Sequence, residues 1–359
     1  MRIVQVCPRY HPYIGGVETH VKEISERLAD RGFNVEVLTT DPLGYLPKEE
    51  FIGNIKVKRF RSWAPREAYY FSKELKKYLL INSKYYDIMH AHSYHAFPAL
   101  YAAQSKSKNK LVFTPHYHGK GHTFFRTLLH IPYKYMAKGI FEKADCIVCV
   151  SNYEKSLVVK KFRVNEGKTM VVPNGVSLKE FNCLKKGEKD NSRIILYVGR
   201  LEKYKGVDYL IRSLPKLDRS VHLEIVGKGP HNKALLKLTN RLGVTDRVRF
   251  HQDLPRENLL QKYAEADLFV SLSRHEAFGI SVAEALASGA PCIVANTPAL
   301  REWVDNENCF GIDYPLNIDG LVGLINKAIG GKVDRVKLLD WDEAVERLIR
   351  IYDGLLIKA

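Results

Sequence analysis

Short apolar runs rich in β-branched residues recur along the chain, separated by stretches with apolar residues every three or four positions. RIVQVC (2–7), NVEVLTT (34–40), IKVKRF (55–60), YDIMHAH (86–92), KLVFTPH (110–116) and DCIVCVS (145–151) predict strands, and 16–31 predicts a helix. The pattern restarts at 193, where RIILYVGR, HLEIVG, RVRFHQ, DLFVSLS and PCIVAN predict strands. Helices are predicted near 206–217, 231–242 and 256–265. A last amphipathic stretch, LDWDEAVERLIRIYDGLL, predicts a helix with Asp340 as its cap. Such alternation builds parallel sheets covered by helices. Between the halves, VVPNGVSLKEFNCLKKGEKDNSR (171–193) concentrates Pro, Gly, Asn and charge, which places a domain join there. The expected architecture is two α/β domains with a cleft between them.

A length of 359 residues suits two domains, and 45% hydrophobic with 27% charged residues is ordinary for a globular protein. No apolar run reaches the roughly 18 residues of a membrane-spanning helix, and MRIVQVCP reads as a first strand, so a cytoplasmic protein is expected. Six cysteines are too few for a disulfide framework. Cys146 and Cys149 form a C-x-x-C inside a strand, where positions three apart face opposite ways, so they read as buried thiols. The net charge of +16 is uneven: residues 1–175 hold 28 Lys+Arg against 15 Asp+Glu, and residues 176–359 hold 28 against 25. A basic patch of this kind suits an anionic partner or a plain solvated face, and charge alone does not choose.

Open α/β sheets bind ligands in the loops that follow their strands, often against a helix N-terminus. Three such loops stand out. PRYHPYIGGVETH (8–20) carries Gly15-Gly16, which would let the backbone approach a phosphate, but it lacks the dinucleotide fingerprint G-x-G-x-x-G. YVGRLEKYKG (197–206) offers Arg200 and Lys205, cations suited to a departing phosphate. SRHEAFGISVAEALASG (273–289) puts Glu276 and Glu284 on either side of Phe278-Gly279, where a helix is expected to begin. Over a continuous helix eight residues span ~12 Å. Hydrolase carboxylates sit about 5–9.5 Å apart, so the spacing suits a long ligand better. Phosphates would meet the amides near Phe278 and Gly279 while each carboxylate takes hydroxyls at one end. A nucleotide-sugar has that layout.

Taken together, YIGGVETH, VFTPH, VSNYEKS, VVPNGV, YVGRLEKYKGVDYLI, IVGKGP and SRHEAFGISVAEALASGAP resemble a retaining glycosyltransferase of the GT-B fold. The group is that of glycosyltransferase family 4 and the phosphatidylinositol mannosyltransferases. The resemblance implies two Rossmann-like domains with a central cleft, over 1–175 (acceptor side) and 176–339 (nucleotide-sugar side), with the helix 340–359 packing back on the first. It implies transfer of a hexose-type sugar from a UDP- or GDP-sugar to a glycan or lipid-linked acceptor, with no metal and no further cofactor.

The resemblance also implies roles. Gly15 and Gly16 support the donor diphosphate, and Arg200 and Lys205 neutralise it. Glu276 holds hydroxyls of the sugar, the amides at Phe278 and Gly279 meet sugar or phosphate, and Glu284 binds the ribose. His116 matches the active-site histidine, with His118 its near neighbour. One departure is His251-Gln252, where relatives continue His-Gly close to the nucleobase. The metal-dependent transferases resemble a D-x-D at a strand end; here Asp340-Trp341-Asp342 reads as a helix start, and HYHGKGH (116–122) lacks the carboxylate a zinc site would favour.

The segment 122–143 mixes aromatics with cations and is interrupted by Pro132. It admits two readings, an interfacial segment on an anionic membrane or a core-facing helix with a basic outer face. A peripheral place on the cytoplasmic membrane face is therefore a further expectation. Alternative functions are a nucleotide-sugar epimerase or phosphorylase on the same fold, or a basic nucleic-acid or lipid-binding protein without activity. The last leaves the glutamates unexplained, so no nucleic-acid partner is expected.

Overall fold

The computed structural model describes residues 1–119, 124–183, 192–333 and 336–357. These fall into two compact units, 1–175 together with 341–359, and 176–340. The architecture is mixed α/β, with two separate, largely parallel sheets.

The first unit has strands β1 (Arg2–Val6), β2 (Asn34–Asp41), β3 (Glu49–Ile52), β4 (Ile55–Arg61), β5 (Ile88–His92), β6 (Lys110–Thr114), β7 (Cys146–Cys149) and β8 (Thr169–Val171). Their order is β3-β4-β2-β1-β5-β6-β7-β8, parallel except for β3 against β4. Order reverses between β1 and β5, so the loops after these strands part and leave a crevice at the strand ends. The core sits under this sheet, among them Val4, Leu38, Met89, Phe113 and Ile147. Helix Trp341–Ile357 belongs to this unit; it buries Trp341, Val345, Leu348 and Tyr352, and Asp342 pairs with Arg31 at 2.8 Å. Asp340, expected as its cap, accepts from the Leu178 amide at 3.3 Å.

The second unit has β9 (Arg193–Val198), β10 (Val221–Val226), β11 (Val248–His251), β12 (Leu268–Ser271), β13 (Cys292–Ala295) and β14 (Cys309–Ile312). The order β11-β10-β9-β12-β13-β14, all parallel, is the doubly wound arrangement of dinucleotide-binding sheets, with its reversal between β9 and β12. Leu196, Phe269, Val282 and Val294 pack one face, and Ile195, Leu223, Val270 and Ile293 the other. Both faces are covered, which is why these strands read as unbroken apolar runs.

Three strands escape the apolar pattern: β3 is the charged sequence EEFI, β8 has three residues, and β14 contains a glycine. All three are edge strands, where one side needs no apolar neighbour. Helix Phe124–Lys143 runs through Pro132 without a break, contrary to the interruption expected there. Much of the aromatic and basic face proposed for 122–143 lies outside the described residues. Among the described residues no helix is long and apolar enough to cross a membrane. Cys146 and Cys149 are both buried in β7.

Candidate active site

In the second unit the reversal in strand order lies between the loops after β9 and β12, the two that sequence spacing singled out. Gly206 (φ 71) lets them meet, since a Cβ there would lie 2.7 Å from the Leu272 carbonyl oxygen. The Arg274 amide also donates to the Tyr204 carbonyl at 3.0 Å. Across this junction Lys205 Nζ reaches Glu276 Oε1 at 2.5 Å, with only 15% and 22% of the two side chains exposed. Burial alone would depress the Lys205 ammonium, but Glu276, Tyr204 and Tyr197 outweigh it and hold its pKa above the ordinary value. A fixed cation and a fixed carboxylate therefore stand together at the crevice. Arg200, on the same loop, is more exposed and pairs with Glu202 at 3.1 Å.

Helix Ile280–Ala287 starts after Gly279, in the left-handed conformation (φ 97, ψ 56). The backbone there favours glycine, and a Cβ would sit 2.8 Å from Leu300 Cδ2, so that side chain would have to shift to admit one. The Phe278 ring packs edge-on against Trp303, whose Nε1 donates to the Phe278 carbonyl at 2.8 Å. That bond turns the carbonyl toward the indole. No side chain caps this helix, so its first amides present their positive dipole end at the turn.

Glu276 lies in the loop and Glu284 on the helix, so they are not on one helical face. Glu284 is buried and accepts from Arg256 Nη1 at 2.5 Å and from Tyr263 OH at 2.9 Å. Arg256 also meets Glu180 at 2.7 Å. Burial lowers the Arg256 guanidinium, but Glu284 and Glu180 more than offset this and keep it firmly charged. Sequence reasoning missed Arg256, Tyr263 and Glu180. Their one signal was that a carboxylate within SVAEALASG would need a partner. His251, the departure at the expected base-proximal loop, is held by Glu224 at 2.6 Å, and Lys262 braces the same carboxylate at 3.1 Å.

The first unit carries the other expected residues. Gly15 precedes helix Gly16–Asp30, and a Cβ on it would lie 2.3 Å from Glu18 Oε2, a carboxylate fixed by Arg9 at 2.7 Å. A Cβ on Gly16 would meet nothing within 4 Å. Packing thus accounts for Gly15 and leaves Gly16 unexplained by the protein's own atoms. His116 follows β6 with φ 49, a left-handed conformation unusual for a residue with a side chain. It packs against His20 at 4.7 Å between ring centroids and stacks at 5.9 Å on His92. Burial pushes all three rings below their ordinary pKa, His20 to about 4, so they are neutral. His118 lies in the same loop and stacks on His95 at 5.2 Å.

Comparison with known proteins shows the GT-B fold and the family. The Glycosyltransferase Family 4 model matches residues 14–180, and the model Glycosyl transferases group 1 matches residues 179–343. An uncharacterized glycosyltransferase of Methanocaldococcus jannaschii is 28% identical over 98% of either chain. Sucrose-phosphate synthase of Thermosynechococcus elongatus superposes with a TM-score of 0.81 at 20% identity, each chain covered completely. Anabaena HepE, solved in complex with UDP and glucose, superposes with a TM-score of 0.77 at 17% identity, covering 99% of this chain and 100% of its own. With the two family models meeting end to end across both of its units, the chain belongs to the group 1, family 4 type of glycosyltransferases.

Proposed function

We propose that this enzyme transfers a hexose-type sugar from a UDP- or GDP-sugar to a glycan or lipid-linked acceptor, with retention at the anomeric carbon. The observation that carries the donor reading is the Lys205–Glu276 pair at 2.5 Å, set where strand order reverses and beside an uncapped helix start. In this reading the bond from the anomeric carbon to the diphosphate breaks, and the acceptor oxygen bonds to that carbon. Negative charge then gathers on the departing diphosphate. Lys205 and Arg200 supply fixed positive charge for it, together with the amides around Phe278 and Gly279. Such charge would make a metal on the diphosphate dispensable.

Glu276 accepts hydroxyls of the sugar and Glu284 those of the ribose. For Glu284 this requires Arg256 or Tyr263 to share the carboxylate. Gly16 leaves room for the donor phosphates to approach the first helix, with Gly15 shaping that turn, and His116 faces the sugar. The UDP and glucose named for HepE favour a donor of this class.

Calorimetry against UDP-, GDP- and ADP-sugars tests the donor class, and heat from none of them would refute it. Glu276→Ala and Lys205→Ala should each abolish transfer with the fold intact; turnover surviving in both would overturn the site. Turnover of a donor with no acceptor present would favour the epimerase alternative.

A further inference from the structure

Three imidazoles from distant parts of the first unit converge. His20 lies on helix Gly16–Asp30, His92 ends β5 and His116 follows β6, and one ligating nitrogen from each lies within 4.8 Å of the others. His20 and His92 are 3% and 0% exposed. His20 Nε2, His92 Nδ1 and His116 Nε2 are buried with no hydrogen-bond partner among the described residues.

The opposite nitrogens of two of these rings are firmly held. His20 Nδ1 lies 2.6 Å from Asn174 Oδ1, and His92 Nε2 lies 2.7 Å from Gln5 Oε1. An amide oxygen only accepts, so each of those nitrogens carries the ring proton and leaves a lone pair on its other side. Metal-ligating histidines are oriented in the same way, N–H to an oxygen and bare nitrogen to the ion. His90 is a useful contrast. Its centroid is 4.2 Å from that of His92, yet Nδ1 meets Tyr352 OH at 2.7 Å and Nε2 meets Thr114 Oγ1 at 2.8 Å. With both nitrogens engaged it stays outside the set.

We infer that His20, His92 and His116 form a buried site for one divalent transition-metal ion of the zinc class. Three imidazole nitrogens, two of them oriented by the amide oxygens of Asn174 and Gln5 in place of the carboxylate that 116–122 lacks, suit zinc and disfavour magnesium and calcium, which take oxygen ligands. Tetrahedral ligation at about 2.0–2.1 Å spaces neighbouring nitrogens about 3.3 Å apart, so the rings close inward by about 1 Å when the ion enters. The ion would tie the first helix to the ends of β5 and β6, and a fourth position would stay open. The site does not depend on the transferase reading, and an ion on His116 Nε2 would replace the sugar-facing role proposed for that ring. A single water accepting from one ring and donating to two others is the rival occupant.

The test uses tag-free protein purified without chelator, its metal content measured by mass spectrometry after zinc addition and exhaustive dialysis. The expected result is about one zinc per chain, with melting raised by roughly 5 °C over chelator-stripped protein. Cobalt added to the stripped protein should give visible absorption of a low-symmetry, four- or five-coordinate ion. His92→Gln should lose zinc, the melting shift and the cobalt spectrum, whereas His90→Gln should keep them. If His92→Gln does not fold, the wild-type zinc content and cobalt spectrum decide alone. Less than about 0.1 zinc per wild-type chain, or octahedral cobalt, would overturn the site and leave water as the occupant.

Discussion

Lys205→Met separates two jobs that the Lys205–Glu276 pair performs. The substitution keeps most of the aliphatic stem and deletes the ammonium 2.5 Å from the Glu276 carboxylate, leaving a charge whose side chain is only 22% exposed. Two unit charges about 4 Å apart attract by about 4 kcal/mol at an effective dielectric constant near 20, and desolvation offsets much of that. A net loss of about 1–2 kcal/mol follows, which for a unit of this size lowers the melting temperature by roughly 3–8 °C.

Donor affinity should fall further. Losing one charge-assisted bond to phosphate costs about 1.5–3 kcal/mol, or roughly 10- to 150-fold in Kd. Adding Glu276→Gln to Lys205→Met removes the stranded charge, so stability should return while affinity does not. Because Lys205 is held above its ordinary pKa, its contribution to affinity should also stay flat between pH 7 and 9. Scanning calorimetry and titration calorimetry with UDP and GDP read the two quantities separately. Lys205→Met binding both nucleotides within twofold of wild type would refute the assignment. Equal loss of melting temperature in the single and double variants would refute the electrostatic account.

Gly16 and Gly279 should respond oppositely. Gly16→Ala should leave stability unchanged or raise it by up to about 1 kcal/mol while weakening donor binding. Gly279→Ala should cost about 1–2 kcal/mol through its positive φ alone, and more from the Leu300 contact. Equal melting temperatures for the two would contradict this. Glu154 is fully buried, and burial raises its pKa to about 7 despite amides donated by Val150 and Tyr117. The native state thus keeps a proton that the unfolded chain releases near 4.5. Its contribution is complete below that pH and lost as pH rises through 7. Between pH 5 and 8 the stability difference should therefore move toward Glu154→Gln by about 2–3 kcal/mol, and a constant difference in urea titrations would count against it. Finally, flotation with acidic liposomes at low and high salt tests the basic first unit; absence of binding in both ends the membrane expectation.

Local chemistry was legible in the sequence wherever the relevant residues are neighbours. Strand positions and the helix start at Gly279 follow from periodicity, turn residues and spacing within one stretch. Charge and the absence of long apolar runs bounded the class of protein in the same way. Pairings across the sheets were a different matter, because a side-chain period states which face a residue occupies and not which strand lies beside it. Parallel strands joined by crossover helices bring Lys205 to Glu276, Arg256 to Glu284, and His20 to His92 and His116, over separations that no local pattern records. Whether Gly15 was needed for packing, and Gly16 was not, depended likewise on where the Glu18 carboxylate folds back. The sequence by itself determined the elements and the kinds of chemistry they carry; the tertiary structure decided which groups face one another, since burial forces each buried charge or lone pair to find its partner in space.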